Sequence, residues 1–296
     1  MKFDKKALLR AALGYFGRCS TPTRLRWGRF LGWLTPRLLR SRAHIVRVNL
    51  ALCFPDLTPQ AREALARRHF HLLAQSFVDR GLCWFGDPAR IEDMVELQGG
   101  ELLKDLVAQD RPVLMLAPHF VALDAAATRI AMYLKETASF YTRQSDPDVD
   151  EVVLAGRIRF NRVHMVSRHD GVRELIRLLR KRIPVYYLPD MDFGREGSAF
   201  VPFFGVQAAT LLSTAHIAKA RNAVVIPAIT HLDLDTGRYH VKIGPVIDNF
   251  PGDDSLEAAT ARLNTLIEDA IRRDPAQYYW VHRRFKTRPE GEAGFY

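Results

Sequence analysis

His119 and Asp124 are the pair in this sequence with the most immediate chemical potential. They lie in Pro112-Val-Leu-Met-Leu-Ala-Pro-His-Phe-Val-Ala-Leu-Asp124. An imidazole that a carboxylate orients and polarises is a candidate general base. The spacing restricts how the two could meet. On one continuous helix, five steps of ~100° set two side chains ~140° apart. They meet only if His119 occupies a strand-to-helix turn and Asp124 the helix that leaves it. The flanks suit that arrangement. Val113–Ala117 is an apolar run of the length of one buried strand, and Pro118, with no N–H for the ladder, ends it.

Two further stretches combine charged residues with glycine or proline. One is Gly156-Arg157-Ile-Arg159-Phe-Asn161, with Arg168 after the next apolar run. The other is Leu188-Pro189-Asp190-Met-Asp192-Phe193-Gly194, leading to Phe200-Val-Pro-Phe-Phe-Gly205. Loops beyond the C-terminal edges of strands in an open α/β sheet lie close together. The three stretches could therefore build one site: a base with its carboxylate, arginines for phosphate, and an acid-bearing glycine turn beside an apolar wall. Blander readings exist for each. A His–Asp pair at this spacing also arises by chance, the arginines could solvate a surface, and Asp190 and Asp192 could be turn residues. No zinc or calcium spacing is present. The sequence also lacks a Gly-Lys-Ser/Thr phosphate loop, a Gly-x-Gly-x-x-Gly after a strand and a Gly-x-Ser-x-Gly elbow. An NTPase, a nucleotide-linked dehydrogenase and a serine hydrolase are disfavoured.

The elements that must position these residues follow from periodicity. Beyond Pro112, short apolar runs alternate with helical patterns, as in an α/β fold with a mainly parallel central sheet flanked by helices. The runs are Val113–Ala117, Ser139–Thr142, Val163–Ser167, Pro184–Leu188, Ala223–Thr230 and Tyr239–Ile243. One helix is expected after an Asp170 cap, another from near Thr210 to Asn222, and a last one from Ser255 to Arg273. Upstream, Thr58-Pro59 opens a long helix whose Ala66, Phe70, Leu73 and Phe77 recur at core spacing. Everything before about Gly100 reads as all-α.

The chain has 296 residues, 48% of them hydrophobic, enough to bury a sizeable core. Its three cysteines, Cys19, Cys53 and Cys83, have no metal spacing and read as free thiols of a reducing compartment. No signal peptide or spanning apolar run is evident. The net charge is +10, and its placement is informative. Residues 1–42 hold 11 of the 43 basic residues and one acid, Asp4, leaving 32 basic and 32 acidic residues for the remainder. The same arm carries Leu8, Leu9, Tyr15, Phe16, Trp27, Phe30, Trp33, Leu38 and Leu39. Arginines interleaved with Trp, Phe and Leu suit a helix lying in a bilayer interface. The competing reading is a core-packing helix with a solvated basic face. Nucleic acid is not expected, because no zinc knuckle, RNA-recognition or helix-turn-helix signature is present. The expected division is a basic amphipathic N-terminal arm over 1–42, a helical segment over 43–111 and an α/β core with the active site over 112–296.

These motifs, in this order, resemble the late lipid A acyltransferases within the His-x4-Asp/Glu glycerolipid acyltransferase superfamily. The shared stretches are Asn49-Leu-Ala-Leu-Cys-Phe-Pro55, Ala117-Pro-His-Phe120 with Asp124, Gly156-Arg-Ile-Arg159, Leu188-Pro-Asp-Met-Asp-Phe-Gly194, Phe200-Val-Pro-Phe-Phe-Gly-Val206, and Trp280-Val-His-Arg-Arg-Phe-Lys-Thr-Arg-Pro289. The resemblance implies transfer of a fatty acyl chain from acyl-acyl carrier protein to a hydroxyl of a lipid A precursor. It implies this without cofactor or metal, at the cytoplasmic face of the inner membrane. His119 would be the general base and Asp124 its orienting carboxylate. Arg157, Arg159, Arg168, Asp190, Asp192, Gly194 and, more weakly, Asn49 would contact substrate. The alternatives are the same chemistry on another anionic or glycolipid acceptor, such as a glycerophospholipid or ornithine lipid, and a non-catalytic membrane-surface protein.

Overall fold

The computed structural model describes residues 4–167 and 171–296. Four helices come first: α1 (Lys5–Arg18), α2 (Thr21–Leu38), α3 (Arg40–Cys53) and α4 (Pro59–Phe85). α4 begins where the sequence places it. The Thr58 hydroxyl accepts from the Ala61 N–H, and Pro59 fills the first helical position, where no N–H is needed. At 27 residues this helix is about 40 Å long.

The helices α5 (Pro88–Met94) and α6 (Gly100–Ala108) flank a strand, β1 (Val95–Gln98). An alternating series follows: β2 (Val113–Leu116), α7 (Leu123–Tyr133), β3 (Glu136–Tyr141), α8 (Pro147–Arg157), β4 (Arg162–Ser167), α9 (Gly171–Arg180) and β5 (Val185–Tyr187). A hairpin of β6 (Ser198–Phe203) and β7 (Val206–Leu211) interrupts it. The chain closes with α10 (Ser213–Arg221), β8 (Val224–Leu232), β9 (Tyr239–Ile243) and α11 (Leu256–Arg273).

Seven strands form one sheet in the order β1-β9-β8-β2-β5-β3-β4. Strands β8, β2, β5, β3 and β4 run parallel, while β9 is antiparallel to β8 and parallel to β1. The central strand β2 is buried on both faces, as its unbroken Val-Leu-Met-Leu demands. Val113, Met115 and Ala117 enter a core shared with α4, α7 and Trp280. Leu114 and Leu116 enter a second core with α9, α10 and Leu263 of α11.

The fold is the expected mixed α/β sheet flanked by helices, with three local departures. β1 lies inside the segment read as all-α. Thr210, read as a helix start, lies in β7, and the helix begins at Ser213. The β6–β7 hairpin was hidden by Pro202, whose missing N–H argues against a central strand but suits this isolated pair. Its two-residue turn places Phe204 at φ 51° and Gly205 at φ 76°, the double positive φ that a tight hairpin turn requires. Phe204 is held in that conformation by rings of Phe54 and Phe203 at 5.0 and 5.1 Å and by its own N–H donating to Glu268. The Asp170 cap lies outside the described residues.

The N-terminal helices are not a loose appendage. A Cβ on Gly17 would lie 2.7 Å from the Gly81 carbonyl, and Gly28 and Gly32 press as closely on Gln75 and His71 of α4. Arg24 is not on a solvated face. Its Nε donates to Asp79 at 2.7 Å with both side chains 2% exposed, and Gln75 and Tyr239 also donate to that carboxylate. The opposite face of the same helices is apolar and open. Leu8, Trp27, Phe30, Trp33 and Leu38 are exposed, and the rings of Phe16, Trp27, Phe30 and Trp33 follow one another at 5.9, 6.1 and 6.3 Å. Among the described residues no helix is long and apolar enough to cross a membrane.

Candidate active site

β2 ends where Pro118 removes a donor, and the chain crosses to α7 through residues 118–122. This crossing is zipped to the segment after α11. The Val121 N–H donates to the Gln277 carbonyl, the Tyr279 N–H donates to the His119 carbonyl, and Phe120 bridges Tyr278. The backbone of His119 is therefore fixed from both sides.

Its side chain is fixed by the neighbouring strand. β2 and β5 pair in parallel with Leu114 opposite Val185 and Leu116 opposite Tyr187, a constant offset of 71. The same offset, carried three residues past the strand ends, sets His119 beside Asp190. One carboxylate oxygen accepts from the His119 N–H at 2.8 Å, and the other lies 2.7 Å from Nδ1. Asp190 is fully buried, which alone would raise its pKa. The His119 ring and the hydrogen bonds from His119 outweigh that and hold it below the ordinary carboxylate value. An ionised carboxylate only accepts, so Nδ1 carries the proton and Nε2 is left as the acceptor. His119, with Nδ1 taken by Asp190, lines a cleft of about 380 Å³.

Asp124 does not reach this imidazole. It lies in the first turn of α7, 5% exposed, and turns toward two arginines. Arg157 Nε on α8 donates to it at 2.9 Å, and Arg80 on α4 lies 2.7 Å from its other oxygen. Burial works to raise its pKa, but the two guanidinium charges prevail and lower it. The expected His119–Asp124 pairing is thus replaced by His119–Asp190 and Asp124–Arg157–Arg80. The physical reason is that two cations outcompete an imidazole for a buried carboxylate.

The other sequence candidates divide. Arg157 lines the cleft. Arg159 does not; it donates to the carbonyls of Cys83 and Gly86 and closes the C-terminal end of α4. Asn49 is fully buried and donates to the carbonyls of Trp280 and His282, so it secures the C-terminal segment rather than facing a ligand. Asp192 accepts from the Thr287 N–H and hydroxyl and from the Gly194 N–H, with Gly194 at φ 97°, where a side chain would be strained. The Asp192 N–H in turn donates to Nε2 of His282, whose pKa burial lowers to about 4, so that ring is neutral. These residues brace the loop that carries Asp190. Arg168 lies outside the described residues.

Arg80, Tyr278 and Tyr279 were not anticipated. Arg80 carried a signal: Asp79-Arg80 is a charged pair inside an otherwise apolar helical stretch, and each member turns to a different buried counter-ion. Tyr278, whose hydroxyl donates to the Asp190 carbonyl, gave none. Among the described residues no group of three His, Cys, Asp or Glu is placed to hold a metal ion. The cleft therefore combines an imidazole poised to accept a proton, a net positive rim, and apolar walls from α7, α8, β3 and β4.

Residues 10–287 match the family described as bacterial lipid A biosynthesis acyltransferase. The chain is 35% identical over 271 residues to the lipid A biosynthesis lauroyltransferase of Escherichia coli K12, covering 91% of this chain and 87% of that one. It is 33% identical over 276 residues to the lipid A biosynthesis myristoyltransferase of the same organism, covering 92% and 82% respectively. The palmitoleoyltransferase of that organism is 32% identical over 270 residues, covering 91% and 87%.

Proposed function

From the premise that this chain belongs to the bacterial lipid A biosynthesis acyltransferase family, and so is an acyltransferase of lipid A biosynthesis, we propose its reaction and its base. A fatty acyl chain passes from acyl-acyl carrier protein to a hydroxyl of a lipid A precursor, and His119 is the general base. The observation that carries this reading is the buried Asp190 carboxylate on Nδ1, which leaves Nε2 as an acceptor facing the cleft.

The acceptor hydroxyl gives its proton to Nε2 as its oxygen attacks the thioester carbonyl. Asp190 stabilises the imidazolium that forms. The tetrahedral intermediate collapses, the C–S bond breaks, and the carrier thiolate takes the proton back from Nε2. The acceptor oxygen is itself the nucleophile, so no acyl-enzyme is required. Arg157 and Arg80 together carry one charge more than Asp124 returns, which suits an anionic acceptor at the rim.

The exposed Trp27, Phe30 and Trp33 face, with the basic excess of the same helices, supports peripheral attachment to anionic phospholipid at the cytoplasmic side of the inner membrane. Transfer from acyl-acyl carrier protein to purified precursor, followed by mass spectrometry, tests the reaction. A mass increase of one acyl chain with the chain present, absent with His119→Ala, is the expected result. Unchanged lipid A in a strain lacking this chain would sink the assignment of acceptor.

A further inference from the structure

The C-terminal stretch His282-Arg-Arg-Phe-Lys-Thr-Arg288 puts four cations into seven residues, and the fold engages two of them. Arg284 is 1% exposed. It donates to the Ala209 carbonyl and the Thr210 hydroxyl of β7 and lies over the Phe203 ring at 4.9 Å. Arg288 donates to the Gln207 carbonyl and pairs with Glu292. Arg283 and Lys286 are exposed, and among the described residues their side chains have no hydrogen bond or ion pair. Arg283 only rests over the Tyr296 ring, at 5.8 Å. A turn sets the two side by side, with the Lys286 N–H donating to the Arg283 carbonyl. Like charges at the two ends of one turn repel each other, and an anion between them removes that cost.

The turn is stapled to Asp192 at both ends. His282, before it, accepts from the Asp192 N–H, and Thr287, after it, donates twice to the Asp192 carboxylate. Met191 and Phe193, on either side of Asp192, line the cleft. So does Tyr279, whose N–H donates to the His119 carbonyl. Arg283 is four residues beyond Tyr279, at most ~14 Å of chain. The turn is therefore part of the lip of the cleft. On its other side it meets the start of α3. There Arg42 donates to the Val281 carbonyl, and Leu38 and Leu39, 69% and 52% exposed, end the apolar face of α2. The two free cations thus stand between that apolar face and the cleft.

We propose that Arg283 and Lys286 form a seat for a phosphomonoester on the headgroup of the acceptor lipid, with Arg42 at its edge. The inference rests on the acyl-transfer reading above and adds to it how the acceptor is held. The Arg283 guanidinium can take two phosphate oxygens in parallel, and the Lys286 ammonium adds a point charge. A lipid can lay its chains along Leu38 and Leu39 while its phosphate meets the turn. That favours a lipid headgroup over an acidic protein as the occupant.

The seat is tested with the full chain in non-ionic detergent micelles, using lipid A precursor before and after phosphatase treatment. Arg283→Ser and Lys286→Ser are compared singly and together. Each should raise the KM for the acceptor on the order of tenfold, and the pair more, with kcat and the KM for acyl-acyl carrier protein little changed. Phosphatase treatment of the precursor should penalise the wild-type chain by a similar factor and the double variant no further. Circular dichroism and the unchanged donor KM report that the fold is kept. A rise in the donor KM instead would assign the turn to the acidic carrier protein and overturn the seat. An equal loss on both forms of the precursor, or no loss on either, would overturn it too and leave the acyl-transfer reading standing. Flotation with anionic vesicles separates the acceptor headgroup from bulk phospholipid. The double variant should float as the wild type does, and its release would mean that the turn serves the bilayer at large, against the proposal. A folded wild-type chain that acylates neither form of the precursor would overturn the reading beneath it.

Discussion

Asp190 holds His119 at two points, one oxygen 2.8 Å from its backbone N–H and the other 2.7 Å from ring Nδ1. A carboxylate that grips both main chain and ring fixes the rotamer, the tautomer and the height of the imidazole together. Because Asp190 is fully buried and its own loop is braced by Asp192, Thr287 and His282, little movement is left to the pair.

On the proposed mechanism, removal of His119 or of Asp190 should be costly in rate and cheap in binding. His119→Ala is expected to lower kcat by on the order of 10²–10⁴-fold with KM little changed. Asp190→Asn should lower it comparably, by removing the fixed tautomer and the charge that stabilises the imidazolium. Steady-state kinetics on both variants check this. Near wild-type turnover in Asp190→Asn would mean that another group orients the ring.

Asp124→Asn should differ in kind. It leaves the His119–Asp190 pair intact and deprives Arg80 and Arg157 of their shared counter-ion. Both arginines retain some solvent, so a loss of about 2 kcal/mol is expected at neutral pH, below that of a fully buried pair. The sign with pH follows from the lowered pKa of Asp124. Its contribution is complete above its unfolded value of about 4 and fades as pH falls through the lower folded value. Urea unfolding at pH 7, 5 and 3 should show the gap to wild type closing only at the lowest pH.

Arg24→Met should likewise be most costly at neutral pH, but its gap to wild type should open above about pH 4 rather than close below it. The pair with Asp79 is buried on both sides, and breaking it is expected to cost about 3–5 kcal/mol at neutral pH. Burial already raises the Asp79 pKa, with Arg24 the main opposing influence. Without Arg24 the folded pKa rises further above about 4, so the variant loses stability as pH climbs from there toward neutrality. A gap that stayed constant from pH 4 to pH 7 would refute the argument.

Flotation with anionic vesicles addresses the exposed aromatic face. Trp27, Phe30 and Trp33 replaced together by Ser should abolish flotation, whereas high salt should weaken wild-type binding without releasing it fully. Complete release of the wild-type chain by salt alone would exclude an inserted apolar component.

Much of the fold was legible in the sequence because its signals are local. The unbroken Val-Leu-Met-Leu of β2, the Thr58-Pro59 start of α4 and the Ser255 cap of α11 each depend on a few neighbouring residues. His119, Asp124, Arg157 and Asp190, which the structure brings close together, stood out as candidates for the same reason: they stand at strand and helix ends. Their pairing was not legible. It depends on which strand lies beside β2, and the offset of 71 that joins His119 to Asp190 exists only once β5 is known to be that neighbour. Asn49 and Arg159 donate to distant carbonyls, a role that in sequence looks like service to a ligand.

The close seating of the first helices on α4 bears on how this chain tolerates variation. Arg80, which grips Asp124 at the cleft, stands on the same helix that Gly17, Gly28 and Gly32 press against. A side chain at any of these glycines must push α4 or lift the helix that carries it. A random screen for lost acylation should thus return hits at three small residues on the first two helices, remote in sequence from every charged group of the site. Sequencing that set would trace the supporting rod before any of its catalytic cargo.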